Sequence, residues 1–413
     1  MQSSFSIKQN GWLVIALQAV IIAMFAGLLF SRALLSVCMV AFVLLSFMAT
    51  RPVKKIKAFF SSYFFLSMAF LFLVVAITGF WSSDQQKWMD VMRIKLPLII
   101  LPFCFAGFRM FTAEHWRKIM FVFIWIVVAG VLWSCWWYLQ DMKTAQAGYL
   151  KAGVLKTPLG QDHIRFSLLI ALAIITSGYL LAVLSNNPFR KAIFFAIPVL
   201  VVYLHLLAVR TGLLVFYLST LIFVFWYLLK TKRPKAVVLL VLLVLLPVMA
   251  FIYLPTFKNR LYYIRYDFSL LQKNDYTPGS NDGNRLLSIR AGWESLQTHP
   301  LIGVGFGDVR NETDGWYNTH YPGMNKLDKI LPSSEWMIHG AAAGWPGLVI
   351  FSLCMLSAFF VPQLKKQIAW RLINLSFLLS YLFDIGLEVQ YGVFMHAFLI
   401  LAWHNWLTTE NSQ

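Results

Sequence analysis

The residues best suited to chemistry lie in or beside one long polar stretch, about Pro255 to Ser334, within a sequence that is otherwise strongly apolar. This stretch carries a cluster of arginines and two histidines, His299 and His320. Guanidinium groups match phosphate oxygens in a bidentate way, so clustered arginines favour an anionic substrate. We therefore expect any chemistry to take place in this stretch or next to it.

Two arginine-centred motifs have the strongest claims. Arg210-Thr211-Gly212 interrupts a long apolar region, where an ionisable side chain is costly enough to suggest a functional role. The second motif starts at Arg285, near the first turn of a predicted helix, and runs to the glycines of His299–Gly305. The alternatives are an interfacial anchor for Arg210 and a solvated amphipathic helix around Arg285.

Four other side chains are candidates for binding the same substrate. His163 and Arg165 bracket the start of an apolar segment. Arg290 lies on a flank of the helix that begins near Arg285, and His320 lies within the polar stretch. Each has an ordinary alternative, as an interfacial anchor or a solvated position. We predict that they contribute to the substrate site.

The elements that position these residues are membrane-spanning helices. Hydrophobic residues make up 59% of the chain and charged residues 13%, and the mean hydropathy is +0.69, which excludes a soluble domain of 413 residues. Because a hydrocarbon core takes about 20 apolar residues per helix, the sequence predicts an all-α polytopic protein of about 12 spans. The spans begin near Trp12, Ala33, Phe59, Leu96, Phe121, Phe166, Ala192, Thr211, Val237, Gly344, Leu372 and Val389.

The predicted organisation has three parts. Residues 1–254 form spans 1–9, and residues 255–334 form one long, partly helical segment. Residues 335–413 form spans 10–12 and a short tail.

Within the long segment, helix-like spacing covers Asn259–Gln272 and Asn284–Thr298, the second with Asp282 or Asn284 as its N-cap. The run from Gly303 to Gly307 is predicted to be a tight turn or loop. Its glycines would let the backbone pass close to a neighbouring helix or to the substrate.

Loop charge predicts the orientation, because short cytoplasmic loops hold an excess of Lys and Arg. With both termini in the cytoplasm, five basic loops lie on the inner side and the 255–334 segment lies outside. Topology thereby explains much of the formal charge of +18, and nucleic acid is not an expected partner. All four cysteines lie in apolar spans, so neither a disulfide framework nor a metal site is expected. The basic loops contain Arg51, Lys54, Lys55 and Lys57; Arg109, Arg117 and Lys118; Arg190 and Lys191; Lys230, Lys232, Arg233 and Lys235; and Lys365, Lys366 and Arg371.

Taken together, the motifs resemble those of the O-antigen ligase and polymerase superfamily. The resemblance rests on Arg210-Thr211-Gly212 after an apolar span, and on Arg285 with the His299–Gly305 run fourteen residues on. It also rests on Gly344 and Gly347, which lead into a span. It covers roughly residues 201–360 by motif and the whole chain by topology.

The resemblance implies a metal-independent glycosyltransferase, without a cofactor, in the bacterial inner membrane. Such enzymes move a glycan from a polyprenyl-pyrophosphate carrier to an acceptor at the periplasmic face, and in ligases the acceptor is lipid A-core. The implied partners are the lipid-linked glycan donor, a lipid or glycan acceptor and membrane lipids. By the same resemblance, Arg210 and Arg285 bind the pyrophosphate and stabilise it as it leaves.

One element departs from the family's pattern. Members usually carry a His-Asn pair eleven residues before the first glycine of the last motif, and counting back from Gly344 gives Ser333 and Ser334. Serine cannot serve as the same general base, since efficient proton transfer needs a pKa near the working pH. Glu335 and His339, four residues apart on one helix face, are the predicted catalytic replacements. Their alternatives are a helix N-terminal charge and a packed polar residue.

Other functions stay open at the level of the sequence. A polymerase of surface polysaccharide shares the same motifs. A transporter or flippase would use the basic residues to line a path for an anionic lipid, and an inactive family member would bind the lipid-linked glycan without transferring it. The arginines lie at the predicted outer edge of the membrane and no symmetric halves are visible, which favours the transferase over the transporter.

Overall fold

The computed structural model describes residues 11–160, 162–184, 188–231, 235–271 and 276–412. Within these ranges the regular elements are helices and no strand is present. The all-α prediction is therefore confirmed. Gln161, Gln272, and Lys232 and Arg233 of one predicted cytoplasmic loop lie outside the described residues.

Nineteen α-helices follow one another in the described part of the chain, and a five-residue π-helical turn, Met395–Leu399, joins the last two. They are α1 (Gly11–Phe30), α2 (Arg32–Ala49), α3 (Pro52–Phe60), α4 (Tyr63–Thr78), α5 (Gln85–Lys95), α6 (Pro97–Phe105), α7 (Ala113–Gln140), α8 (Met142–Gly148), α9 (His163–Val183), α10 (Phe189–Leu207), α11 (Arg210–Thr231), α12 (Lys235–Tyr253), α13 (Pro255–Leu271), α14 (Asn281–Thr298), α15 (Val309–His320), α16 (Glu335–Ser357), α17 (Ile368–Phe383), α18 (Gln390–Phe394) and α19 (Ile400–Glu410).

The described helices make this a polytopic membrane protein. Seven are long and apolar enough to span, namely α1, α2, α7, α9, α10, α11 and the helix that starts at Glu335. Two bent pairs, α3 with α4 at 87° and α12 with α13 at 95°, raise the number to as many as nine.

The expected count of 12 spans is not confirmed, because some of the predicted spans fold as shorter helices. The apolar run near Leu96 forms α6, whose nine residues rise only about 14 Å, half of a hydrocarbon core. The run near Leu372 forms α17, whose 16 residues rise about 24 Å. Beyond Val389, a π-helical turn separates α18 from α19.

The helix that carries Arg285 ends where the sequence predicted but starts earlier. The N-cap of α14 is Ser280, whose hydroxyl accepts a hydrogen bond from the backbone N–H of Gly283 at 3.0 Å. The predicted N-cap, Asp282 or Asn284, was wrong, because Ser280, two residues before Asp282, is an equally good cap. Arg285 thus lies in the second turn of α14, and Asp282 lies in the first.

The glycine run 303–307 is a loop, as predicted, and it interlocks with a break in α16. The backbone N–H of Val304 donates to the carbonyl of Ala341 at 2.9 Å, and that of Trp345 donates to the carbonyl of Pro300 at 2.9 Å. Gly344 takes φ +65° and ψ −162°, a region essentially restricted to glycine. The loop therefore passes close to a neighbouring helix, which confirms that part of the prediction.

We expect Gly344→Ala to lower the free energy of unfolding by about 3 kcal/mol, from backbone strain and overpacking together. A Cβ at Gly344 would lie 2.5 Å from the carbonyl oxygen of Pro300. Thermal unfolding in detergent measures the loss. Gly315→Ala is the matched control, because that glycine lies in α15 with nothing within 4 Å of an added Cβ. Equal stability of the two variants would contradict the interlock.

Long-range packing brings the candidate residues together. α11 packs against α9 and α17, α13 packs against α12 and α14, and α14 also packs against α16. These contacts place the start of α11, the middle of α13 and the first turns of α14 around one space. The site lies in that space.

Candidate functional site

A cavity of about 620 Å³ lies between α11, α13 and α14. Most of its wall is apolar, and its charged groups come from three helices that are far apart in the sequence. The apolar lining comprises Ala208, Leu213, Leu214, Phe257, Leu261, Ile264, Leu286, Ile289 and Phe383, and the polar lining comprises Arg210, Thr211, Arg260, Asp282, Arg285 and Ser333. A cavity of this composition suits a ligand with an apolar part and an anionic part.

An ion pair joins the two arginine motifs at this cavity. Nη1 of Arg210, the first residue of α11, lies 2.6 Å from Oδ2 of Asp282 in the first turn of α14. The Arg210 side chain is half exposed, at 46%, whereas that of Asp282 is 19% exposed. The charge of Arg210 therefore lies at an accessible surface and is paired with a carboxylate.

Arg285 lies on the same face of α14, three residues after Asp282. Its Nη1 donates to the carbonyl oxygen of Phe383 at 3.1 Å. Burial lowers the pKa of the Arg285 guanidinium; Asp384 opposes this shift and Arg210 adds to it. The group still carries its charge at neutral pH, because arginine starts above 12. A partly desolvated cation next to a second cation favours an anion between them.

A third arginine, Arg260 on α13, also lines the cavity, although it was not predicted as a site residue. Its Nη2 donates to the carbonyl of Gly153 at 2.9 Å, and its guanidinium lies 4.8 Å from the centre of the Tyr149 ring. The available signal was its position, one turn before the apolar Ile264 in a predicted helix. Asp282 was likewise missed as a site residue, although it lies one turn before Arg285.

Ser333 also lines the cavity. It occupies the position of the histidine in the motif that the chain resembles. The Ser288 hydroxyl donates to Oγ of Ser333 at 3.1 Å, and the backbone N–H of Ser333 donates to Oγ of Ser288 at 3.0 Å. The departure from the family's pattern thus falls on the cavity wall. The side chain there is a hydroxyl, which is a poor proton acceptor at neutral pH.

Glu335 and His339, the predicted replacements, are fully buried and are not among the residues that line the cavity. Oε1 of Glu335 accepts a hydrogen bond from the backbone N–H of Leu387 at 2.5 Å. Nδ1 of His339 lies 2.9 Å from the carbonyl oxygen of Glu335, and its ring stacks on Phe351 at 4.3 Å. The structure therefore places both residues in packed surroundings and not on the cavity wall.

A buried ion pair adjoins these two residues. Nζ of Lys95 lies 2.5 Å from Oε1 of Glu388, and the Lys95 side chain is fully buried. The charge of Lys95 also acts on Glu335 and His339. Lys95, Glu388, Glu335 and His339 together form a polar cluster, which we call the buried cluster.

Arg165 is buried and held by carboxylates, and it does not line the cavity. It is paired with Asp162, its Nη2 lies 3.2 Å from Oδ2 of Asp384, and the same nitrogen donates to the carbonyl of Ile385 at 2.7 Å. Burial raises the pKa of Asp384, an effect that Arg165 opposes. The charge of Asp384 also acts on Arg285 of the cavity wall. His163, the first residue of α9, is not a lining residue either.

The two remaining candidates, Arg290 and His320, are exposed and lie away from the cavity lining. The His320 ring stacks on Trp316 at 4.5 Å, and its Nδ1 lies 3.0 Å from the carbonyl oxygen of Trp316. Among the predicted site residues, the structure thus gathers Arg210 and Arg285 at one cavity.

Comparison with known proteins agrees with the motifs. Residues 192–352 match the family model described as O-antigen ligase. A search of curated proteins found no match. The matched region contains Arg210, Arg260, Asp282, Arg285 and Ser333, so it includes every charged group that lines the cavity. Families of this kind imply a glycosyltransferase-type enzyme that acts on lipid-linked glycans at a membrane. Residues 192–352 therefore form a region of the O-antigen ligase family within this protein.

Proposed function

We propose that this protein transfers a glycan from a polyprenyl-pyrophosphate carrier to lipid A-core or another acceptor. The observation that carries the proposal is the convergence of Arg210, Arg260 and Arg285, from three separate helices, on one apolar-walled cavity. The membership of residues 192–352 in the O-antigen ligase superfamily supports the same reaction class.

Charge at the cavity suits a pyrophosphate. Three guanidinium groups face one carboxylate, which leaves two positive charges in excess. A pyrophosphate diester carries two negative charges, and guanidinium groups bind its oxygens in a bidentate way. The apolar wall, with Phe257 and Leu261 on α13, suits the first isoprene units of the carrier.

In this proposal the acceptor hydroxyl attacks the anomeric carbon of the donor sugar. The bond between that carbon and the phosphate oxygen breaks, and the electron pair leaves with the pyrophosphate. Arg210 and Arg285 stabilise the charge that develops on the leaving group, without a metal, as positioned donors do in other transferases.

We further propose the bacterial inner membrane as the location, with both termini in the cytoplasm. Residues 255–334 would then lie on the periplasmic side, between the membrane helices of residues 1–254 and 335–413. The excess of Lys and Arg in the five short loops that would then face the cytoplasm supports this orientation.

The test is a reconstituted transfer assay. Purified protein is incubated with a polyprenyl-pyrophosphate glycan, with and without lipid A-core, and the products are separated on a gel. We expect glycan on lipid A-core only when that acceptor is present. Lengthened lipid-linked chains without the acceptor would instead identify a polymerase. Bound donor without any product would contradict transfer and point to a carrier or binding protein.

A further inference from the structure

The cavity raises a question about the proton of the acceptor hydroxyl. An attacking sugar hydroxyl must lose its proton to a base within hydrogen-bond reach. Ser333 lies on the wall, but its hydroxyl is a poor base. Glu335 and His339 are fully buried and do not line the cavity. The base therefore has to be sought among the side chains of the wall itself.

Asp282 meets the geometric requirement. Among the described residues that line the cavity, it is the one that carries a carboxylate. Its backbone N–H donates to Oδ2 of the buried Asp267 at 2.9 Å, which fixes its place in the first turn of α14. Its side chain is 19% exposed, so solvent or a substrate can reach it.

We propose that Asp282 is the catalytic base of the transfer, accepting the proton of the acceptor hydroxyl. This inference rests on the proposed function, since it assigns a role within that reaction. Asp282 and Arg285 lie three residues apart on one helix face. The residue that accepts the proton is therefore next to the residue that stabilises the leaving group. Asp282 also lies six residues before Ser288, the partner of Ser333, a rise of about 9 Å along α14.

The ion pair with Arg210 holds the carboxylate at the cavity. Nη1 of Arg210 lies 2.6 Å from Oδ2 of Asp282. In this inference a bound pyrophosphate competes with the carboxylate for Arg210, because guanidinium groups also bind phosphate oxygens. The carboxylate oxygen is then available to the acceptor hydroxyl.

The step balances without a further reactant. The O–H bond of the acceptor breaks and its proton moves to a carboxylate oxygen of Asp282. The freed electron pair forms the new glycosidic bond, and the bond from the anomeric carbon to the phosphate oxygen breaks with its electrons on the pyrophosphate. The protonated Asp282 then returns its proton to water when the products leave.

The inference is tested with Asp282→Asn, which keeps the shape and removes the base. With a polyprenyl-pyrophosphate glycan as donor and lipid A-core as acceptor, we expect kcat to fall by about 10²–10⁴-fold. Donor Kd should stay the same or decrease, because the competing carboxylate is gone. In Asp282→Gly, added formate should restore part of kcat. Asp314→Asn, which disturbs an ion pair with Arg310 away from the cavity, should leave the rate unchanged.

The outcomes separate this inference from the proposed function. If the wild-type protein transfers glycan and Asp282→Asn keeps its kcat, the base is elsewhere and the proposed function stands. If Asp282→Asn increases the donor Kd and leaves kcat unchanged, Asp282 only positions Arg210, and the inference is overturned. If the wild-type protein forms no product from bound donor, the proposed function fails and the inference fails with it.

Discussion

Replacement of Arg285 by alanine should lower kcat for glycan transfer by about 10²–10³-fold, the usual effect of removing a positioned donor from developing negative charge. The expectation follows from its place on the cavity wall, where its guanidinium is partly desolvated and lies near Arg210. Donor Kd should also increase, because the pyrophosphate loses one of three guanidinium partners. Initial rates at saturating donor, together with binding of labelled donor, measure the two effects separately.

Two further variants sharpen this test. Arg290→Ala is the matched control, since Arg290 lies on the same helix but is exposed and does not line the cavity. Arg285→Lys keeps the positive charge but loses the planar guanidinium group, which binds two phosphate oxygens at once. Compared with Arg285→Ala, we expect it to restore donor binding more fully than kcat. An Arg285→Ala protein with the wild-type kcat would remove Arg285 from the reaction, and Arg260 would become the leading candidate.

Replacement of Lys95 by methionine should lower the free energy of unfolding by about 3–5 kcal/mol, the usual cost of leaving one charge of a buried ion pair without its partner. Lys95 is fully buried and Glu388 is only 12% exposed, so water cannot replace the lost ammonium group. The double variant Lys95→Met with Glu388→Gln should recover part of the loss. Thermal unfolding in detergent compares the three proteins.

The control for this pair is Lys118→Met. Lys118 pairs with Glu114 at 2.8 Å, but both side chains are mostly exposed, and such pairs contribute little. We expect no measurable change in its unfolding temperature. If Lys95→Met were as stable as Lys118→Met, the ion pair between Lys95 and Glu388 would not stabilise the fold.

Family and fold class could be predicted from the sequence because both depend on local information. Apolar content indicates membrane helices without any knowledge of which helices they pack against. The all-α polytopic prediction could therefore be made from the sequence, and it was confirmed. Arg210 and Arg285 were found through motifs in which each arginine has fixed neighbours in the chain. The end of α14 at Thr298 followed from His299-Pro300, because the residue before a proline is biased away from helical geometry.

The number of spans could not be predicted in the same way. Apolar character shows that a segment avoids water, but it does not distinguish a lipid-facing span from a short helix packed inside the protein. α6 is such a helix, with Leu98, Leu101 and Cys104 buried among its neighbours. The bend of 87° between α3 and α4 likewise depends on what each helix packs against.

The sequence by itself determined the membrane class, and it predicted the resemblance to O-antigen ligases and the candidates Arg210 of α11 and Arg285 of α14. Only the tertiary structure decided which groups share the cavity. Arg260 and Asp282 belong to it, whereas Glu335 and His339, close to Ser333 in the sequence, are fully buried and do not line it. The physical reason is that the cavity forms where α11, α13 and α14 pack together. The position of a side chain relative to other helices depends on that packing, and its spacing along its own helix does not determine it.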